Sequence, residues 1–285
     1  MANSDRPLDW HSESVVRAAG FYSARAGLQL ASVPAGGRAV VVSDSRSRRS
    51  ALWMGVFDDR CVVSTNPELA RNVDWVIQAV NCFPDLMRED VCGRLLDLCR
   101  ESCEQPVVIY RGVKLLCCAG DYAPFPNRGI RRLHKEDIPL VMRVFYPDIA
   151  ADNPDYETEI LGGGAAYGCF ADAELVALAH THHPGHMCGY VGDLSVEGTL
   201  ESHRGVGCGR AVVAATTGEV IRQGRTPVWG MFDDNVVAKR TAASVGFRTF
   251  FRLFEVRYRQ WGTEQPRACD TVPAHRTRGV GAGDI

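Results

Sequence analysis

The stretch Arg204-Gly205-Val206-Gly207-Cys208-Gly209 lies between a strand-like run, 189–199, and an amphipathic segment, 210–223. Three glycines within five residues let the backbone turn tightly with no Cβ in the way, so successive amides can converge on one anion where a helix begins. Arg204 adds a positive charge beside them. Two common phosphate-binding loops do not fit the spacing. A P-loop needs Gly-Lys followed by Ser or Thr, whereas Gly209 is followed by Arg210-Ala211. The dinucleotide fingerprint G-x-G-x-x-G needs a glycine at position 210 and an acidic residue closing a second strand, where this chain reads Trp229-Gly230-Met231-Phe232.

The pattern that remains is Arg/Gln-x-x-Gly-x-Gly/Ala, matched by Arg204, Gly207 and Gly209. It resembles the coenzyme A loop of the GNAT superfamily of acyl-CoA N-acyltransferases. The segment downstream is similar too. A strand over 226–232 is followed by Asn235-Val-Val-Ala238 and a helix that ends in Gly246-Phe247, then by a β-rich run over 248–258. Asp233, Asp234 and Asn235 form a strong N-cap cluster. Ala238 and Ala242, four apart on one face, leave room for a thin ligand, and Gly246 can take the left-handed conformation that ends a helix.

Upstream, 130–133 reads as a short strand and 138–146 has helical apolar spacing. The runs 165–171 and 174–182 form a hairpin turning at Asp172-Ala173, with 189–199 as a third antiparallel strand. That order resembles the GNAT fold through 128–258. The expected class is therefore α/β (α+β): a C-terminal GNAT fold with a mixed, largely antiparallel sheet and flanking helices, plus an N-terminal α/β domain. The expected division is 1–125 for the N-terminal domain, 126–260 for the acyltransferase domain, and a disordered tail over 261–285 that is rich in Gly, Pro, Arg and Thr. Within 1–125, helices are expected at 11–27, 67–81 and 86–103, strands at 37–43 and 50–57, and paired strands over 106–119 around Arg111-Gly112. The linker is expected at 120–128, where Pro124, Pro126 and Asn127 break all periodicity.

A chain of 285 residues, 46% hydrophobic and 23% charged, is ordinary for a globular protein of two domains. The net charge of −2 argues against a general nucleic-acid binder, and Arg46, Arg48 and Arg49 read as a solvated basic turn. No apolar run is long enough to span a membrane and the N-terminus lacks a basic segment followed by an apolar core, so a cytoplasmic protein with no membrane partner is expected. The 11 cysteines contain no Cys-x-x-Cys pair and read as reduced, mostly buried thiols. Cys208 is the exception in place, since it sits inside the glycine loop beside Arg204, but no catalytic role attaches to it.

The resemblance assigns coenzyme A contacts to Val196 and Thr199 on the strand, to the loop and helix start at Arg204, Gly205, Val206, Gly207, Cys208, Gly209 and Arg210, and to Asn235 and Ala238. It implies acetyl-CoA as co-substrate and no metal. An amine acceptor is protonated at neutral pH and must lose that proton before it attacks a thioester. Asp193, Ser195 and Glu197 alternate along one strand face, with Gly198 as a bulge site. Two carboxylates can therefore serve as base: Glu197, whose pKa burial against aromatic rings would raise, and Asp193, eleven residues before Arg204 where several family members place a glutamate. Many GNAT enzymes carry a general-acid tyrosine seven residues after the Asn of the last helix. Ala242 stands there, so Ser244, Tyr190 or water would have to act instead.

His180 and His182 share one face of a strand, with His183, His186 and Cys188 close behind. With His186 or Cys188 they could hold zinc, but the spacing matches no common zinc pattern, and hydrogen bonding or contact with the acceptor is the expectation. The sequence thus points to transfer of an acyl group, most simply acetyl, from coenzyme A to the primary amine of a small molecule. The other reading is a degenerate GNAT domain that binds coenzyme A or an acyl carrier without turnover. A homodimer is compatible with either.

Overall fold

In the computed structural model the described residues are 9–42, 50–103, 106–126, 129–147, 154–182 and 190–259. One ten-stranded mixed sheet runs through all of them. Its strands are β1 (Arg38–Val42), β2 (Ser50–Val56), β3 (Cys61–Thr65), β4 (Val107–Leu116), β5 (Ile130–Arg132), β6 (Ala166–Ala171), β7 (Glu174–Thr181), β8 (Val191–Thr199), β9 (Thr226–Phe232) and β10 (Arg248–Tyr258). In space the order is β1-β3-β2-β10-β4-β9-β8-β7-β6-β5, parallel at β1/β3 and β8/β9 and antiparallel elsewhere.

Among the described residues seven α-helices cover the two faces: α1 (Glu13–Ala26), α2 (Pro67–Gln78), α3 (Glu89–Ser102), α4 (Ile138–Phe145), α5 (Pro154–Leu161), α6 (Cys208–Arg222) and α7 (Val236–Val245). Alternation along the strands decides which face each helix covers. On one face α1 packs on Trp53, Val191, Val228 and Phe251, while α4 and α5 pack on Leu175 and Leu178. On the other, α2 and α3 pack on Met54, Val63 and Phe254, and α6 and α7 pack on Val113, Leu194 and Trp229. Residues on β8 and β9 therefore face α1, α4 and α5 or face α6 and α7, and the candidate chemistry divides the same way.

The turn expected at Asp172-Ala173 is present, with φ of 48° and 69° at the two residues. Gly246 ends α7 at φ 104°, where a Cβ would also lie 2.0 Å from the Asp121 carbonyl oxygen. Two expectations need correction. Residues 106–119 are not a strand pair turning at Arg111-Gly112; β4 runs straight through both residues because β10 and β9 hydrogen-bond it from either side. Gly112 is required by close approach instead, since a Cβ there would meet the Met231 carbonyl at 2.6 Å. The strand β3 was not foreseen, and it separates β1 from β2.

The segment 121–126 is packed rather than free-running. The Tyr122 hydroxyl donates to the Ala214 carbonyl at 3.0 Å, its ring lies over Gly218, and the Ala123 amide donates to Val245. Nine described cysteines are free and six of them are buried, with burial pushing Cys61, Cys99 and Cys117 up to about 12. The basic turn at Arg46–Arg49 and the tail over 261–285 lie outside the described residues, as do His183, His186 and Cys188.

Candidate active site

Strands β8 and β9 pair in parallel from Val191/Thr226 to Leu194/Trp229, and no pairing follows. The two strands part there. On its other edge β8 stays bonded to β7 but carries a bulge: Ala179 pairs with Val196 and Leu178 with Gly198, so Glu197 is the extra residue. Gly198 supports it at φ 95°, as the sequence led us to expect. The ladder between these two parallel strands therefore ends in the middle of the sheet.

The glycine loop follows directly. Gly205 and Gly207 have φ of 81° and 93°, and Gly207 is the N-cap of α6, a position at which a side-chain-bearing residue would be strained. Amides 205–210 have no backbone partner among the described residues, and Ala211 is the first to bond, to the Gly207 carbonyl. Their unmade hydrogen bonds and the helix dipole favour an anion at this end of α6. Gly209 lets the turn close on β8, since a Cβ there would lie 2.8 Å from Thr199 Oγ1.

Side chains around the loop take distinct places. Arg204 is exposed, with Nε donating weakly to the Thr199 carbonyl at 3.4 Å and Nη1 3.8 Å from Glu201. Val206 is exposed, while Cys208 is buried beside Cys169, Val196 and Val212. Arg210 is tied down: it donates to the Ser244 carbonyl at 3.0 Å and lies 4.3 Å over the Phe125 ring, which also closes on Gly207. On α7, Asn235 Oδ1 accepts from the Ala238 amide at 3.0 Å and caps its own helix. Ala238 packs partly buried on the core and Ala242 is fully buried beside Val113, Trp229 and Phe247. Ala242 is thus given over to packing, while Ala238 keeps part of its surface open.

On the opposite face of the sheet, β7 and β8 bring the histidines and carboxylates together. His180 stands opposite Ser195, and the His182 amide donates to the Asp193 carbonyl. The Ser195 hydroxyl donates to Glu197 Oε1 at 2.8 Å, and His180 Nε2 lies 3.4 Å from the same oxygen. The Tyr146 phenol, just after α4, also faces this carboxylate, and its ring is tilted 58° to that of Tyr156 at 5.2 Å.

Burial alone would raise the Glu197 pKa, but His180, Ser195 and Tyr146 outweigh it and hold the group below the ordinary carboxylate range. The expectation of a raised Glu197 is thus reversed, because its donors come from three elements and not from apolar rings. Burial and the Glu197 charge push the Tyr146 phenol up, so it stays a donor. His182 Nδ1 bonds Glu159 Oε1 on α5. Burial lowers His182, yet Glu159, Asp193 and Glu197 together raise it above its ordinary value.

Tyr146, Glu159 and Phe125 were not foreseen as site residues. Tyr146 ends the predicted helix at 138–146, so its position was marked, but nothing local shows that its phenol reaches β8. Among the described residues no three His, Cys, Asp or Glu side chains cluster closely enough to hold a metal ion. No helix of the described residues is long and apolar enough to cross a membrane.

No family model matches the chain. No curated protein matches it either. Solved structures do. A GNAT-family protein from Novosphingobium aromaticivorans DSM 12444 is 19% identical over 55% of this chain and 68% of its own length, with a TM-score of 0.44. An acetyltransferase from the GNAT family of Colwellia psychrerythraea is 15% identical over 57% and 61%, with a TM-score of 0.46. A GCN5-related N-acetyltransferase from Kribbella flavida is 18% identical over 62% and 66%, with a TM-score of 0.43. The chain spans about three fifths to two thirds of the length of these structures. Over part of its length, and at low identity, the chain is similar to solved proteins of the GNAT superfamily.

Proposed function

We propose that this protein is an acyl-CoA-dependent N-acyltransferase that moves an acyl group, most simply acetyl, from coenzyme A to the primary amine of a small molecule. One observation carries the reading: the parallel pairing of β8 and β9 stops at Leu194/Trp229, and the unpartnered amides of 205–210 follow the freed end of β8 after one short turn at Glu201–His203. A slot between parallel strands admits a thin thioester arm, and the start of α6 takes the charge of a pyrophosphate. Arg204 stands exposed at that end, and Val196 and Thr199 line the way from loop to slot. Arg210, Asn235 and Ala238 support the loop and helix from behind, through the contacts already described.

The acceptor side is the face carrying Asp193 and Glu197. Glu197 stays ionised in a largely buried place, which favours an incoming ammonium and fixes its approach. Its lowered pKa makes it a better anchor for that ammonium than an acceptor of its proton. Asp193 adds a second negative charge two pleats away.

Calorimetry with acetyl-CoA and thiol release across a panel of primary amines test the proposal. Binding together with amine-dependent thiol release, and the acylated amine seen by mass spectrometry, are the expected results. The buried Ala242 in place of a general-acid tyrosine favours a second reading, binding without turnover. Tight binding with no amine-dependent release would support that one. Absence of acetyl-CoA binding would overturn both.

A further inference from the structure

We infer that His182, oriented by Glu159, takes the proton from the acceptor amine and later returns it to the leaving thiolate. The inference rests on the acyltransfer reading and adds the group that reading lacks. Glu159 lies on α5 and His182 directly after β7, so two separate elements must pack correctly to bring them together. The carboxylate accepts from Nδ1–H, which fixes the tautomer and leaves Nε2 as the basic nitrogen of the ring.

The ring sits on the acceptor face, 5.7 Å from His180, and the His182 backbone bonds Asp193, one residue before the last β8/β9 pair at Leu194/Trp229. It is partly open, with 28% of the side chain exposed, whereas His180 is 1% exposed and committed to Glu197. Among the described residues of this face, His182 combines access with a carboxylate behind it.

Several charged and titratable groups surround the ring. Glu159 faces it from α5, Asp193 and Glu197 from β8, and His180 from its own strand, while Tyr146 at the end of α4 reaches it through Glu197. Three carboxylates around this partly open ring lift its proton affinity above the ordinary value. Asp193 and Glu197 would hold the ammonium while His182 removes its proton.

The step balances as follows. His182 Nε2 takes one proton from the ammonium, and the freed nitrogen lone pair forms the C–N bond at the thioester carbonyl. The tetrahedral adduct then loses a second nitrogen proton to water and breaks its C–S bond, with the electron pair leaving on sulfur. The imidazolium proton passes to that thiolate and regenerates the neutral ring. No tyrosine on α7 is needed, which accounts for a fully buried alanine at position 242.

The test uses the full chain. His182→Gln should lower turnover ~100- to 10,000-fold with acetyl-CoA affinity unchanged, and remove the rising limb of the pH profile of kcat/KM. Added imidazole should restore part of the turnover of His182→Ala. Glu159→Gln should shift the limb to lower pH, and proton NMR of the free protein should show the His182 ring titrating lower by the same amount. Glu159→Asp should recover part of both shifts. A wild-type enzyme that turns over, with His182→Gln keeping its rate and limb, overturns the relay and leaves the acyltransfer reading standing. A ring whose titration ignores Glu159→Gln overturns the orienting role. A wild-type protein that binds acetyl-CoA but releases no thiol with any amine overturns the acyltransfer reading, and the relay with it.

Discussion

The Ser195 hydroxyl reaches Glu197 Oε1 at 2.8 Å across the bulge in β8. With His180 and Tyr146 it holds a buried carboxylate below its ordinary pKa. The sign for stability follows. A depressed folded-state pKa gives stability that is fully present above the unfolded value of about 4.3 and is lost as pH falls through the folded value. Glu197→Gln should therefore be less stable than wild type in urea at pH 7, and the gap should narrow below pH 4. A gap of the same size at both pH values would mean that the charge of Glu197 is not what its donors stabilise.

Gly207 combines a φ of 93° with Phe125 ring atoms 3.2 Å from where a Cβ would stand. Gly207→Asp adds strain, a clash and a negative charge at the helix end where an anion is to bind. Acetyl-CoA affinity should fall by at least ~10-fold by calorimetry, which corresponds to about 1.4 kcal/mol. Gly207→Ala carries the strain without the charge and should fall less. Equal affinity in all three proteins would remove the loop from the cofactor site.

What could be read from the sequence was local. The turn at Asp172-Ala173, the caps at Asn235 and Gly246, and strands β9 and β10 follow from residues within a few positions of one another. Alternation also put His180 and His182 on one face correctly. Long-range pairing was not legible. Arg111-Gly112 has the composition of a turn, and only flanking strands from beyond position 225 make it the middle of β4. The same limit hid Glu159 and Tyr146, which reach β7 and β8 from helices whose spacing shows nothing of their targets. It also reversed the pKa expectation for Glu197, whose donors are supplied by α4, β7 and β8 together.

Residues 107–116 pair with β9 on one side and β10 on the other, so the sequence before position 126 supplies a strand between two that come after it. A fragment of 126–285 would leave β10 with no neighbour and expose Phe250, Phe251, Phe254 and Leu253, all buried in the full chain. It should show no cooperative unfolding transition by circular dichroism. Co-expression with 1–125 should restore one. A fragment that melts cooperatively by itself would mean that β9 and β10 can close on each other without β4.

Ala242 tests whether the missing tyrosine can simply be put back. The residue is fully buried and its neighbours Val113, Trp229, Val245 and Phe247 belong to the same tightly packed cluster. A phenol ring has no room there without displacing the helix or the sheet beneath it. Overpacking of this kind costs about 1–3 kcal/mol, and a hydroxyl without a partner in the core costs about as much again. Ala242→Tyr should therefore lower the urea midpoint clearly while giving no gain in thiol release. Ala242→Ser, which adds one small polar atom, should cost less. A stable Ala242→Tyr variant with faster turnover would show that α7 can turn this position towards the slot, and that the thiolate is normally short of a proton donor.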